Sequence, residues 1–277
     1  MTRRDLLLHA LPVFAFAGQL RAASSKTVSV GAQTNAWKID TEDFSSLTAV
    51  LDRIAKLGYE GFETSYRNIQ PVFGRLKQGR TDLAGTGLKF FGCHIAMSDY
   101  DAKSNIPPSE LIEKIATNAA ALGAERLILS GSPVADEGGP MDDQRLLWKA
   151  GALNRAGRAC EGLKLRVCYH NHGPEFASGG AEIQALMRET DPNNIRFVIN
   201  GGHALRAKTD LPAFFAKYHK RIDGIHLMGL NEFQYDSLAA AIRKARWTGW
   251  LIAEEEGEKG DSAMGPAREQ IRKLFGV

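Results

Sequence analysis

Four polar residues, His170, Asn200, His226 and Glu254, recur 30, 26 and 28 residues apart in the second half of a 277-residue chain. Each directly follows a short apolar run: residues 165–169, 195–199, 223–225 and 250–253. Two imidazoles and a carboxylate brought to one point form a ligand set for a divalent metal ion. The asparagine is out of character among them, because a hard cation prefers charged oxygen to a neutral amide. In a closed barrel of parallel strands, consecutive strand ends lie side by side around one mouth, where such residues would converge.

The elements needed to position them are present. Apolar strand runs alternate with amphipathic helical patterns along the chain, which predicts βα units and a parallel sheet. The first strand covers residues 27–31. Its helix is expected to begin near Thr41, with Glu42 and Asp43 in the first turn. Phe44, Leu47, Val50, Leu51 and Ile54 form its apolar face, and Gly58 stops it. Further strands are read at 61–64, 88–94 and 126–129, and the later ones end at the four polar residues. Helices are read at 72–86, 108–122, 143–162, 181–190, 211–218, 235–245 and 262–275. Eight such units predict an α/β fold, a single-domain (β/α)8 TIM barrel over residues 24–277. A doubly wound open sheet is the alternative, but Gly31-Ala32-Gln33-Thr34-Asn35 after the first strand is no Gly-rich phosphate turn.

Composition is ordinary for a globular protein, 44% hydrophobic and 24% charged, and a net charge of +3 makes no case for nucleic acid. Residues 1–23 read differently. Arg3 and Arg4 precede an apolar run to Gly18 and a small-residue stretch at Ala22-Ala23, the layout of a cleavable signal peptide of twin-arginine type. The run is too short to span about 30 Å of hydrocarbon. Export to the periplasm or exterior is therefore expected, with no stable membrane insertion after cleavage. The three cysteines, Cys93, Cys160 and Cys168, lack a disulfide framework and read as buried free thiols.

Five segments resemble a known family. Gly58-Tyr59-Glu60-Gly61-Phe62-Glu63, Tyr169-His170-Asn171-His172 with Glu175-Phe176, Asn200-Gly201-Gly202-His203, Gly224-Ile225-His226-Leu227 and Trp250-Leu251-Ile252-Ala253-Glu254 resemble successive strand motifs of the xylose isomerase-like TIM barrels, the sugar phosphate isomerase/epimerase superfamily. The resemblance covers essentially the whole chain after residue 23. It implies one divalent ion (Mn, Co, Zn or Mg) at the barrel mouth, a sugar or keto-sugar substrate, and proton transfer beside a carbonyl. Carried over by position, the ligands are His170, Asn200, His226 and Glu254. Asn200 stands where the family has aspartate, and Met228-Gly229 stands where it has Lys-Asp.

On this reading Glu254 holds the ion and exchanges a proton, and Glu175 is a further ligand or base. His170 serves as both ligand and catalytic group. His94, His172, His203, Glu63 and Trp37 are the candidates for substrate contact. Lys149, Arg155 and Arg158 are assigned to a solvated helix face. The expected activity is that of an exported sugar isomerase or epimerase. The alternatives are a 3-keto-glycoside lyase or hydrolase on the same scaffold, and a degenerate barrel that binds sugar through a weakened metal site. An oligomer is compatible with the sequence.

Overall fold

The computed structural model describes residues 28–135, 141–255 and 257–277, so the segment read as an export signal lies outside the described residues. Eight parallel strands close into a barrel in sequence order. They are β1 Ser29–Gln33, β2 Gly61–Ser65, β3 Lys89–Ile95, β4 Arg126–Ser130, β5 Arg166–His170, β6 Ile195–Asn200, β7 Ile222–Met228 and β8 Trp250–Glu254. The expected (β/α)8 TIM barrel is therefore present, and β1 pairs with β8 to close it.

Ten helices surround the barrel among the described residues. They are α1 Phe44–Lys56, α2 Tyr66–Ile69, α3 Leu76–Gly85, α4 Ser109–Leu122, α5 Asp143–Cys160, α6 Ala177–Glu189, α7 Gly201–Arg206, α8 Leu211–Tyr218, α9 Asp236–Ala245 and α10 Asp261–Phe275. None is long and apolar enough to cross a membrane. α1 begins later than expected because Asp43 is its N-cap, accepting the Ser45 N–H at 2.9 Å. The helix expected over 72–86 starts later, as α3 from Leu76 to Gly85. Pro71 and Val72 sit in a short 3₁₀ turn between α2 and α3, and a proline there supplies no amide to continue the ladder.

Two apolar layers hold the barrel. Phe91, Ile128, Cys168, Val198, Trp250 and Ile252 fill its interior. The larger layer between strands and helices includes Tyr169, Phe197, Ile199 and Leu227. Side chains alternate along each strand, so with Cys168 inside and Tyr169 outside, His170 turns back to the interior. Gly61 makes room for Trp250: a Cβ there would lie 2.5 Å from the indole ring. All three cysteines are buried and free, as expected. Burial raises all three thiols, Cys160 to about 11, so none is a ready nucleophile.

Candidate active site at the barrel mouth

β5, β6, β7 and β8 deliver His170, Asn200, His226 and Glu254 to one place. Strand register sets Asn200 beside His226. Nitrogen atoms of His170 and His226 and a carboxylate oxygen of Glu254 lie within 4.8 Å of one another, and all three residues are buried. The imidazole rings of His170 and His226 are 4.5 Å apart.

His226 is the electrostatic centre. Its Nδ1 lies 3.1 Å from Glu254 Oε2 and its Nε2 lies 2.8 Å from Glu63 Oε2. Burial opposes charge on the ring, but the two carboxylates outweigh it, first Glu63 and then Glu254, and lift its pKa to about 10. The same pairing holds both acids in the ionised form. Burial would raise Glu63, yet His226 and His94 pull it well below the usual carboxylate range. Burial likewise acts to raise Glu254, and the His226 charge and hydrogen bond reverse it.

His170 is in the opposite state. Burial and then the charge on His226 push its pKa well down, so the ring is neutral. Its Nδ1 is a buried polar atom with no hydrogen-bond partner. A buried imidazole lone pair beside an ionised glutamate fits a cation ligand. Glu63 also supplies the outer support such a ligand set requires, since it takes one nitrogen of His226 and leaves the other turned to Glu254. Once a cation displaces the proton between His226 Nδ1 and Glu254, the donor chemistry of His170, His226 and Glu254 fits a divalent ion.

Asn200 is placed differently. Its Oδ1 accepts the His203 N–H at 3.0 Å, capping α7, and its Nδ2–H donates to Glu254 Oε2 at 2.7 Å. The backbone N–H of Asn200 is held by Asn171 Oδ1 at 2.9 Å. Asn35 reaches Glu254 Oε1 through Nδ2 at a long 3.4 Å.

The remaining sequence candidates divide. His94 lines the mouth on β3, where its Nδ1 donates to Glu63 Oε1 at 2.8 Å and its Nε2 accepts from the Ser130 hydroxyl at 2.6 Å. His172 and His203 stand next to each other at the rim, ring centres 5.6 Å apart, and His172 is 5.4 Å from His170. Glu63 is fully buried with both oxygens committed to imidazoles, so it supports the site from below and does not meet a sugar hydroxyl. Trp37 is packed as well. Its indole N–H donates to Asp261 Oδ1 at 3.0 Å, tying the segment after β1 to the start of α10.

Glu175 is not at the mouth. It lies behind the wall of β5, fully buried, where Oε1 accepts from Lys149 Nζ at 2.9 Å and from the Tyr169 hydroxyl. Its other oxygen takes the His172 N–H at 2.6 Å. Lys149 is correspondingly not on a solvated face. It is fully buried, and it also donates to Glu182 Oε1 at 2.7 Å and to the Ser132 carbonyl at 2.9 Å. The signal was available: Leu146, Lys149, Ala150 and Leu153 share the buried stripe of α5. Ser130, Asn171 and Asn35 were not anticipated. Only their places at the ends of β4, β5 and β1 could have marked them.

Comparison with known proteins agrees with this architecture. A 75-residue stretch is 35% identical to an inosose dehydratase of Geobacillus kaustophilus (strain HTA426), covering 27% of this chain and 24% of that protein. Another of 136 residues is 30% identical to the inosose dehydratase of Lacticaseibacillus casei, covering 39% and 46%. The chain thus spans less than half the length of either relative. The crystal structure of a 3-keto-D-glucoside 4-epimerase from E. coli superposes with a TM-score of 0.70 at 13% identity, over 91% of this chain and all of that one (100%). The family model of the xylose isomerase-like TIM barrel matches residues 51–275, and the chain belongs to that family.

Proposed function

We propose that this protein is a metal-dependent acid–base enzyme acting on a sugar or keto-sugar, an isomerase or epimerase that moves a proton on the carbon beside a carbonyl. The observation that carries this reading is the cluster of His170, His226 and Glu254 at the C-terminal mouth of the barrel. A bound divalent ion would polarise the substrate carbonyl and acidify the neighbouring C–H. His170 and His226 would hold it with Glu254. Glu254 is ionised and 7% exposed, the most accessible carboxylate of the cluster, and it takes the proton. Hydrogen bonds from Asn200 and His226 fix its orientation. The His94–Ser130 pair on β3 and β4 adjoins the cluster, with the His94 ring 5.2 Å from that of His170 and Glu63 linking His94 to His226, and it is a second polar group for a substrate at the mouth.

One observation favours a second reading, elimination beside the ketone of a 3-keto-glycoside or keto-polyol. Glu63 and Glu175 are sealed, so neither joins Glu254 as a second carboxylate for a proton shuttle among the described residues. A single carboxylate base beside an imidazole–hydroxyl pair suits removal of a proton by Glu254 and departure of the neighbouring hydroxyl as water, its proton supplied through Ser130 by a His94 ring that has first taken one up from solvent.

Incubation with keto-sugars in D2O, followed by NMR, tests both. Deuterium should enter beside the carbonyl; an epimer identifies the first reading and loss of water or aglycone the second. If neither exchange nor turnover appears in protein supplied with manganese, cobalt, zinc or magnesium, catalysis is excluded and sugar binding without turnover remains. We also propose export by the twin-arginine route, from Arg3, Arg4 and the apolar run that follows. Changing both arginines to lysine should strand the protein in the cytoplasm; unchanged export would refute that route.

A further inference from the structure

We infer that Asn200 is not a metal ligand but a positioning residue for Glu254, so that the centre consists of three residues, His170, His226 and Glu254. The ion in this inference rests on the function proposed above. Its observation is independent of that reading: the direction in which the Asn200 amide points.

That direction is fixed from both ends. The His203 N–H can only donate, so the atom 3.0 Å from it must be the amide oxygen. Turning the amide over would set donor against donor at His203. It would also bring the amide oxygen to 2.7 Å from the ionised Glu254 Oε2, acceptor against acceptor. The NH2 group therefore faces the cluster, and its nitrogen has no lone pair to give a cation. The side chain is 1% exposed, so water relieves neither conflict.

An aspartate in the same place would cap α7 with one oxygen and present the other to Glu254. Two carboxylate oxygens at that spacing need a shared proton or an ion that both ligate. In this chain an N–H occupies that place and binds the two side chains directly. The consequence for Glu254 is a division of labour between its oxygens. Oε2 carries both strong hydrogen bonds, from Asn200 and His226, while Oε1 has only the long contact from Asn35. Oε1 is the atom left to meet an ion or a substrate proton.

Cobalt(II) is the probe, because its visible absorption reports coordination number and ligand type without turnover. Wild type, N200A, N200S and N200D are compared by spectrum and by chelator competition; N200S keeps a hydroxyl able to cap α7 should N200A fold poorly. N200A or N200S should show the wild-type band positions, with affinity lowered at most by the about 10–100-fold expected when outer support is lost. N200D should gain a ligand, shift the bands and bind at least about tenfold tighter. If wild type takes no cobalt and N200D does, the assignment of Asn200 as a positioning residue and not a ligand stands, while the three-residue centre and the metal-dependent function fall. Bands that move in N200A as in N200D, or an N200D that binds no better than wild type, overturn the inference, and the former leaves the metal reading intact.

Discussion

Glu254→Gln should abolish most turnover while leaving the barrel folded. Removing a positioned general base costs about 10²–10⁴-fold in rate. Here the same change also takes a charged oxygen from the ion. The measurement is the rate of deuterium incorporation beside the carbonyl, with thermal melting as the control for folding. The loss should fall on the chemical step, because glutamine keeps the shape and still accepts one hydrogen bond from Asn200 or His226. A variant that retains more than about a tenth of the wild-type rate would remove Glu254 from the role of base. With no ion bound, the His226 charge and hydrogen bond hold the carboxyl below its ordinary range; a divalent ion held beside it would favour the ionised form in the same direction, so the acid limb of the rate profile should be displaced downward.

Lys149→Met should be the most destabilising single change outside the mouth. The ammonium is fully buried between Glu175 and Glu182, at 2.9 and 2.7 Å. Removing one partner of a buried ion cluster leaves uncompensated charge and costs about 3–5 kcal/mol. For a chain of this size that corresponds to a fall in Tm of roughly 6–20 °C. The deficit should depend on pH with a definite sign. Burial raises the Glu182 carboxyl, Lys149 draws it down and Glu175 pushes it up, and the net shift is upward. A carboxyl with a raised pKa in the folded state holds its proton more tightly there than in the unfolded chain. Ionising it as pH rises therefore penalises the fold, and more so without Lys149. The gap between variant and wild type should be widest at neutral pH and narrow as pH falls into the carboxylate range. A variant that melts within 2 °C of wild type, on the order of 1 kcal/mol or less, would show that the cluster does not hold these elements together.

The barrel was legible because its signal is periodic and repeated eight times. The strand ends were legible for the same reason: a polar residue after an apolar run must lie where the strand leaves the core. His172 lies past the end of β5, so strand alternation could not place it, and its ring comes within 5.4 Å of that of His170. What could not be read was partnership. Glu175 looks like a mouth carboxylate from its place after β5, but only the packed structure shows that Lys149 claims it. Helix α7 was hidden by Gly201-Gly202, a poor helix-forming pair, although Asn200 is a favoured cap residue. The amide direction of Asn200 depends on one backbone N–H three residues on, and no composition or spacing encodes it.

The buried Lys149 cluster also bears on how such a scaffold can be modified. Barrel loops are commonly treated as interchangeable modules, each grafted without regard to its neighbour. Here the segment after β4 and the segment after β5 are cross-wired. Lys149 donates to the Ser132 carbonyl and to Glu175, and Glu182 accepts the Val134 N–H at 2.9 Å. A fourth unit replaced together with its helix α5 would strip Lys149 from both Glu175 and Glu182 of the fifth. The transferable module is therefore the pair, and a recombination point between β4 and α6 would cut through it.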